Sequence, residues 1–255
     1  MAKYAITGGA SGIGAGLAGR LEQDGHNVLT IDRSGADICA DLATPAGRLD
    51  AIKAIQVWSP EGLDGFIPCA GLPLHTRPLS KIVAVNFFGS IDLVSGVQDL
   101  VARKRGSILL VASNSARMIE TTDSMVQACL SGDEIEALEH ADTKDAHAAY
   151  AGSKRALTLW MRQNTVRLAR LGARINAIAP GVTLTPMTED AYKDEEMGST
   201  YRSFASIAPW GGQEATIDQI VAVMQFMLSD AASVLCGAVI FADSGTDARL
   251  HPDLV

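Results

Sequence analysis

Tyr150 and Lys154 stand four residues apart in Tyr150-Ala151-Gly152-Ser153-Lys154. In a helix that spacing puts both side chains on one face, with Cβ atoms about 5–6 Å apart. A phenol with its ordinary pKa near 10 does not release a proton readily at neutral pH. An ammonium beside it favours the phenolate and lowers that value. The pair is thus the minimum apparatus for moving a proton to or from a substrate oxygen. The same spacing also occurs in ordinary pairs on helix surfaces, so the rest of the chain decides. Ser113 follows the unbroken apolar run Ile108-Leu109-Leu110-Val111-Ala112, as expected at the end of a central parallel strand. A hydroxyl at the C-terminal edge of an open parallel sheet faces the ligand crevice and is suited to hydrogen-bond a carbonyl; Ser115 is a neighbour that could be confused with it. Asn86 is polar inside an apolar helical stretch. It is either a surface asparagine or an amide that holds a backbone group or water behind the site.

A second set of residues points to a dinucleotide. The short strand Tyr4-Ala5-Ile6-Thr7 runs into Gly8-Gly9-Ala10-Ser11-Gly12-Ile13-Gly14, and a helical pattern through Leu17, Ala18 and Leu21 follows. Strand, glycine turn and helix cradle a pyrophosphate: glycines admit close backbone approach, and the helix start offers unpaired N–H groups. The spacing Gly-x-x-x-Gly-x-Gly differs from the commoner Gly-x-Gly-x-x-Gly, but the structural context is present on both sides. Asp32 ends the next strand, 18 residues beyond Gly14. A carboxylate there hydrogen-bonds the adenosine ribose and repels a 2′-phosphate, which favours NAD over NADP; Arg33, next to it, could hold a phosphate.

The elements that must position these residues alternate. Strands are expected at 27–31, 63–71, 107–112, 174–179 and 237–242, with helices at 45–57, 79–102, 149–171 and 216–228. Thr44-Pro45 reads as an N-cap followed by the first helical position, with Ala46, Leu49, Ile52, Ile55 and Val57 on the apolar side. Val182-Thr183-Leu184-Thr185-Pro186 crosses the mouth of the crevice after Pro180-Gly181. Residues 117–147 break the alternation. A structureless loop of that length is unusual in a compact domain, so a helical hairpin is expected, capped at Asp123, with Met125, Val126, Leu130, Ile135 and Leu138 packed on the pocket rim or a partner subunit. Residues 187–209, with Met187, Met197, Tyr201, Phe204 and Ile207 among charges and Trp210 just beyond, read equally as a lid or as surface helix. Leu250 and Val255 in the tail could pack on a neighbour or cover the pocket. The pattern predicts a single-domain, three-layer α/β Rossmann-like fold over residues 1–255, with a mostly parallel seven-stranded sheet and a helical insertion at about 117–147.

Composition excludes several classes. A net charge of −8 argues against a nucleic-acid backbone binder, which needs a basic stripe. The opening residues carry too short an apolar run for a signal peptide, and no run approaches 18 apolar residues, so no membrane contact and a cytoplasmic location are expected. Cys39, Cys69, Cys129 and Cys236 lack the close spacing of a zinc or redox motif. His26, His75, His140, His147 and His251 fall in unrelated segments, so no metal is expected. Apolar residues in 118–138 and 187–210 suit a bulky hydrophobic alcohol or ketone such as a steroid, terpenoid or aromatic carbinol. A non-catalytic NAD-sensing protein would keep the glycines but has no need of four polar residues.

Thr7-Gly8-Gly9-Ala10-Ser11-Gly12-Ile13-Gly14, Asn86, Ser113, Tyr150 with Lys154, and Pro180-Gly181 together resemble the short-chain dehydrogenase/reductase family across nearly the whole chain. The resemblance implies that Tyr150 is the acid or base, and that Lys154 lowers its pKa and holds the nicotinamide ribose. It further implies that Ser113 positions the carbonyl and that Asn86 anchors a proton-relay water. Asp41-Leu42 resemble the adenine contact, Ala70-Gly71 the turn against the cofactor, and Val182 and Thr185 the carboxamide contacts, with Thr183 between them. A lyase of the halohydrin-dehalogenase kind would replace the lysine with arginine; Lys154 and the intact glycines argue against it. Two departures stand out. Pro68-Cys69-Ala70-Gly71 replaces the family's usual Asn-Asn-Ala-Gly, and Ser113 lies 37 residues before Tyr150, where about a dozen are common. The insertion, Cys69-Ala70-Gly71 and the ending Asp243-Ser244-Gly245-Thr246-Asp247-Ala248 are similar to a bacterial branch, the 3α-hydroxysteroid dehydrogenase/carbonyl reductases. That likeness implies a homodimer, because the extra helices obstruct one of the usual tetramer contacts.

Overall fold

Seven parallel strands form one sheet in the order β3-β2-β1-β4-β5-β6-β7. They are β1 (Lys3–Thr7), β2 (Asn27–Asp32), β3 (Ile38–Cys39), β4 (Gly65–Pro68), β5 (Ser107–Val111), β6 (Arg174–Pro180) and β7 (Val239–Ala242). The computed structural model describes residues 1–193, 195–211 and 214–254; Val255 lies outside them. The helices are α1 (Gly12–Gln23), α2 (Pro45–Trp58), α3 (Ser80–Arg103), α4 (Ser124–Ser131), α5 (Glu134–Asp142), α6 (Ala146–Leu171), α7 (Pro186–Lys193), α8 (Glu195–Ala205), α9 (Ile217–Leu228) and α10 (Thr246–Leu250).

Alternation along the strands builds the layers. On β5, Ile108 and Leu110 join the core under α2, α3 and α6, while Leu109 and Val111 face α1 and α9. Side chains of period two serve both faces, which is why the run has no polar break. The chain works outward from β1 to β3, then crosses to β4 on the other side of β1. That reversal opens a crevice at the carboxyl ends of β1 and β4, where α/β sheets bind ligands.

The expected caps form. Thr44 Oγ1 accepts from Gly47 N at 3.1 Å, and Gly172 ends α6 in the left-handed conformation at φ +109°. The face of α2 departs from expectation. Leu49 and Val57 are exposed, while Arg48 is buried. Its guanidinium bonds Asp92 at 2.6 Å and pairs with Glu134, joining α2, α3 and the insertion. Two anions make that burial tolerable. The insertion is the expected helical hairpin, α4 and α5, with Asp123 accepting from Met125 N and Val126 N. Met125 and Val126 are buried, but Ile135 points to solvent, and Ala137 and Ala141 take the inner face of α5 instead. Small residues let α5 approach closely where an isoleucine would not. Helix α3 is long and apolar enough to cross a membrane, but 67% of its most apolar window is buried inside the fold.

Candidate active site

Every cofactor-contact residue expected from the sequence lines one cleft of about 1050 Å³ at the carboxyl ends of the strands. At one end lies the glycine turn. Gly8 adopts φ +69°, and a Cβ on it would stand 2.8 Å from the Ala70 backbone. A Cβ on Gly14 would meet Gly8 O at 2.1 Å. Neither position accepts a side chain, so the backbone folds tightly under the start of α1. Ser11 is the N-cap of α1 yet makes no capping bond with its side chain. The first amides of α1 and the Ser11 hydroxyl therefore remain available to an anion. The turn is tied to β4: Ala70 N donates to Thr7 Oγ1 at 3.0 Å.

Asp32 braces the same end, its carboxylate accepting from Ala10 N at 3.1 Å and Arg33 N at 2.7 Å. Arg33, Asp41 and Leu42 complete this wall. Pro180, Gly181, Val182, Thr183 and Thr185 cross the opposite side, pinned where Ala215 N donates to Val182 O and Leu184 N to Ala215 O. The glycine cradle, the capless helix start and the acidic strand end fit a dinucleotide such as NAD.

The reacting end is built from β5, α3 and α6. Ser113 Oγ accepts from Ser115 N at 3.2 Å and from Ser115 Oγ at 2.9 Å. With both acceptances satisfied, Ser113 keeps its own proton to donate, and the Tyr150 phenol is an acceptor within its reach. This separates the two serines: Ser115 orients Ser113. Asn86 is fully buried, which removes the surface reading. It lies in a π-helical turn, Ala84–Phe88, inside α3; such turns often mark functional positions. Its amide is bonded to the Leu72 backbone, and Nδ2 also donates to Ser153 Oγ at 3.3 Å. Ser153 in turn donates to Tyr150 O at 2.6 Å.

Tyr150 and Lys154 do share one face of α6 and both line the cleft. Their electrostatics differ from the expectation that the ammonium lowers the phenol. Burial raises the Tyr150 pKa, and the Ser113 hydroxyl opposes that rise. Lys154 is 4% exposed, and burial brings its own pKa down to about 8. Its Nζ donates to Val111 O at 2.8 Å and makes no hydrogen bond to the phenol among the described residues. The cause is geometric: the lysine reaches across to the end of β5, a partner invisible to a four-residue spacing. Gly71 keeps this corner open, since a Cβ there would sit 3.6 Å from Lys154 Nζ. Burial also holds the Cys69 thiol up at about 12, so it is not a thiolate at neutral pH.

Helices α7 and α8 close one side. Met187, Tyr201, Phe204 and Ile207 line the cleft, while Trp210 is 82% exposed. Tyr192 donates to Glu214, and its ring meets Tyr201 edge-on at 6.1 Å. Lining residues not expected from the sequence include Lys81 and His147, the latter among the histidines of unrelated segments. His147 precedes Tyr150 by three residues on α6, and that helical offset was the available signal. Among the described residues no group of three His, Cys, Asp or Glu side chains is placed to hold a metal.

The short chain dehydrogenase model matches residues 3–125, and the enoyl-(acyl carrier protein) reductase model matches 136–247. The 3-alpha-hydroxysteroid dehydrogenase/carbonyl reductase of Comamonas testosteroni is 36% identical, with 99% of each chain covered. The chain belongs to the short-chain dehydrogenase/reductase family. As a member of this oxidoreductase family it is also similar to the levodione reductase of Leifsonia aquatica, at 28% identity over 95% of this chain and 93% of that one. Among solved structures, the 3-alpha-hydroxysteroid dehydrogenase from Pseudomonas sp. B-0831 complexed with NADH superposes with a TM-score of 0.94. It is 37% identical, covering 99% of this chain and 100% of that chain.

Proposed function

We propose that residues 1–255 form a single catalytic domain that uses NAD to interconvert a hydrophobic secondary alcohol and its ketone, with a 3α-hydroxysteroid as the first candidate substrate. The observation that carries this reading is the convergence of Ser113, Tyr150 and Lys154 on the same cleft as the glycine turn and Asp32. The NADH complex of the Pseudomonas relative and the hydroxysteroid activity in the name of the Comamonas relative support it. A reductase acting on a terpenoid or aromatic ketone is the second reading, favoured by the carbonyl reductase half of that name.

When bound, NAD supplies the two-electron acceptor for the carbinol carbon, and the protein supplies position and charge control. Tyr150 takes the hydroxyl proton from the alcohol, or returns it in the reducing direction. Ser113 turns its proton from the phenol to the substrate oxygen as charge gathers there. Lys154 has three donors. One holds Val111 O, which leaves two that would hold the ribose hydroxyls of a bound cofactor. Asn86 and Ser153 fix the backbone around Tyr150 and Leu72.

The four cysteines are free and two are exposed, which suits a reducing cytoplasm. The insertion lies on α6 so closely that a Cβ on Gly152 would stand 2.3 Å from Met125 Cε. This covered helix supports a homodimer in place of a tetramer, and light scattering that gave a tetramer at micromolar protein would refute the dimer. The reading as a whole is tested by following absorbance at 340 nm with NAD and NADP against a panel of secondary alcohols including 3α-hydroxysteroids. No turnover of any of them would overturn it.

A further inference from the structure

Tyr201 brings a second phenol into the cleft that holds Tyr150. It stands on α8 three residues before Phe204, so the two rings share the face of that helix turned to the cleft. Phe204 fills this face with a purely apolar ring. Tyr201 adds a hydroxyl, which makes no hydrogen bond among the described residues. The ring that carries it is nonetheless braced. Tyr192, on α7, meets it edge-on at 6.1 Å and 81°, donates to Glu214 and lies under the Arg202 guanidinium at 5.6 Å. Glu214 adjoins Ala215, whose N–H donates to Val182 O at 2.9 Å and whose carbonyl accepts from Leu184 N at 2.8 Å. The brace thus runs from the wall that crosses the cleft through Glu214 and Tyr192 to Tyr201. A side chain that only covered the cleft would need neither the hydroxyl nor the brace.

Tyr150 has use for such a donor. The Ser113 hydroxyl reaches it, but that proton is wanted at the substrate oxygen once reaction begins. Lys154 Nζ is turned to Val111 O at 2.8 Å, and Ser115 Oγ donates to Ser113 at 2.9 Å. Tyr201 lies close enough to feel a charge on Tyr150. Burial first, then that charge, then Tyr192 hold the Tyr201 phenol well above its ordinary range. The two phenols therefore differ in behaviour: Tyr150 ionises while Tyr201 keeps a proton to donate.

We infer that Tyr201 is a further catalytic residue, its hydroxyl donating to the Tyr150 oxygen while that oxygen is a phenolate, and that Tyr192 and Glu214 position it. That role rests on the acid/base reading of Tyr150 given above. In the oxidising direction the alcohol O–H breaks and its proton passes to Tyr150. The carbinol hydrogen leaves with its electron pair to NAD, and Tyr201 retains its own proton throughout. Donation to the charged form favours it, so the base becomes available at lower pH. A hydrogen bond to an ionised oxygen shifts such an equilibrium by about tenfold or more. The other ionisable groups at this end of the cleft are Lys154 and His147 on α6, Lys81 on α3 and Cys69 after β4. Tyr192 and Arg202 stand beside Tyr201. Tyr201→Phe leaves all of them in place, so a change in pH dependence reports the one hydroxyl.

The test follows Tyr150 in two ways on the intact protein. Ultraviolet difference absorbance titrates the phenolates, and subtracting the curve of the matching Tyr150→Phe variant isolates Tyr150 without requiring turnover. Absorbance at 340 nm with NAD gives kcat/KM for a secondary alcohol against pH. In Tyr201→Phe the Tyr150 titration and the rising limb of kcat/KM are both expected to move up by about one pH unit. Activity on that limb then falls about tenfold, and the gap narrows as pH rises. The variant keeps the edge contact with Tyr192 and is expected to melt with the parent. Tyr192→Phe releases the brace from Glu214 and should move both curves the same way by a smaller amount. A purely structural Tyr201 would alter melting or KM while both curves stayed at the parent's pH; that result, or a downward move, would overturn the proposal. A shifted titration in a protein whose parent oxidises no alcohol would leave the hydrogen bond standing and overturn the oxidoreductase reading instead.

Discussion

Asn86 grips the backbone of Leu72 at both polar atoms, accepting from its N–H at 2.7 Å through Oδ1 and donating to its carbonyl at 3.3 Å through Nδ2. A buried amide thus fixes a loop residue that forms part of the cleft wall. Asn86→Leu keeps the volume and strands those backbone groups. The expected loss is about 2–4 kcal/mol, read by urea unfolding, together with a raised KM for the alcohol. An unchanged unfolding midpoint would show that the clamp is incidental.

Tyr150→Phe removes the proton carrier while leaving the ring that packs against Leu79, Ile82 and Ala149. Turnover is expected to fall by roughly 10²–10⁴, with NAD affinity little altered. Full activity in the variant would move the acid/base role to another group.

Lys154 bears on stability as well as turnover. Burial lowers its pKa from the ordinary 10.5 to about 8. Between those values the unfolded chain binds more protons than the folded one, so stability rises with pH across that window. Below about 8 both states are protonated and the folded state bears the whole penalty of the buried charge, ~3 kcal/mol. Lys154→Met is therefore expected to abolish turnover yet melt higher at pH 7, despite losing the Val111 bond. That gain should shrink as pH climbs toward 10.5. Thermal melts of both proteins at two pH values check the sign, and a less stable variant at pH 7 would contradict it.

Asp32 is the residue on which cofactor choice is expected to turn. Asp32→Ser leaves Arg33 beside the ribose and removes the repulsion toward a 2′-phosphate. The kcat/KM for NAD should drop about tenfold while that for NADP rises, a shift of roughly 1.4 kcal/mol for each tenfold change. A parent enzyme that already favours NADP would void this role.

Two glycines separate fold from cleft. Gly14→Ala sets a Cβ 2.1 Å from Gly8 O, a backbone clash in the turn expected to cost about 1–3 kcal/mol or more. Gly71→Ala meets Asn86 Oδ1 at 3.4 Å and Lys154 Nζ at 3.6 Å, ordinary contact distances. It should melt with the parent yet bind NAD more weakly, because the methyl occupies the corner beside Lys154. Melting curves and NAD titration on both variants distinguish the two outcomes.

What could be read from the sequence was what local chemistry determines. The glycine turn, the Thr44-Pro45 start of α2 and the stop at Gly172 follow from backbone rules acting over a few residues. The apolar run of β5 follows from burial on both faces. What could not be read depends on partners distant along the chain. Arg48 is buried in place of Leu49 because Glu134 arrives from the insertion 86 residues away. Lys154 bonds Val111 across 43 residues, so its spacing from Tyr150 gave the shared face and missed the partner. The π turn around Asn86 leaves no compositional mark, and β3 is only two residues long, too short to register as a strand. Ile135 is an inward candidate by its type, but Ala137 and Ala141 hold the inner face of α5.

The 2.3 Å that would separate an added Cβ at Gly152 from the tip of Met125 has a consequence for engineering. Hairpin and catalytic helix are moulded to each other, so excising 121–144 would not return a slimmer relative of the same enzyme. It would leave the helix bearing Tyr150 with a bare oily flank, whereas a methyl grafted at 152 would have to turn aside only the flexible tip of Met125.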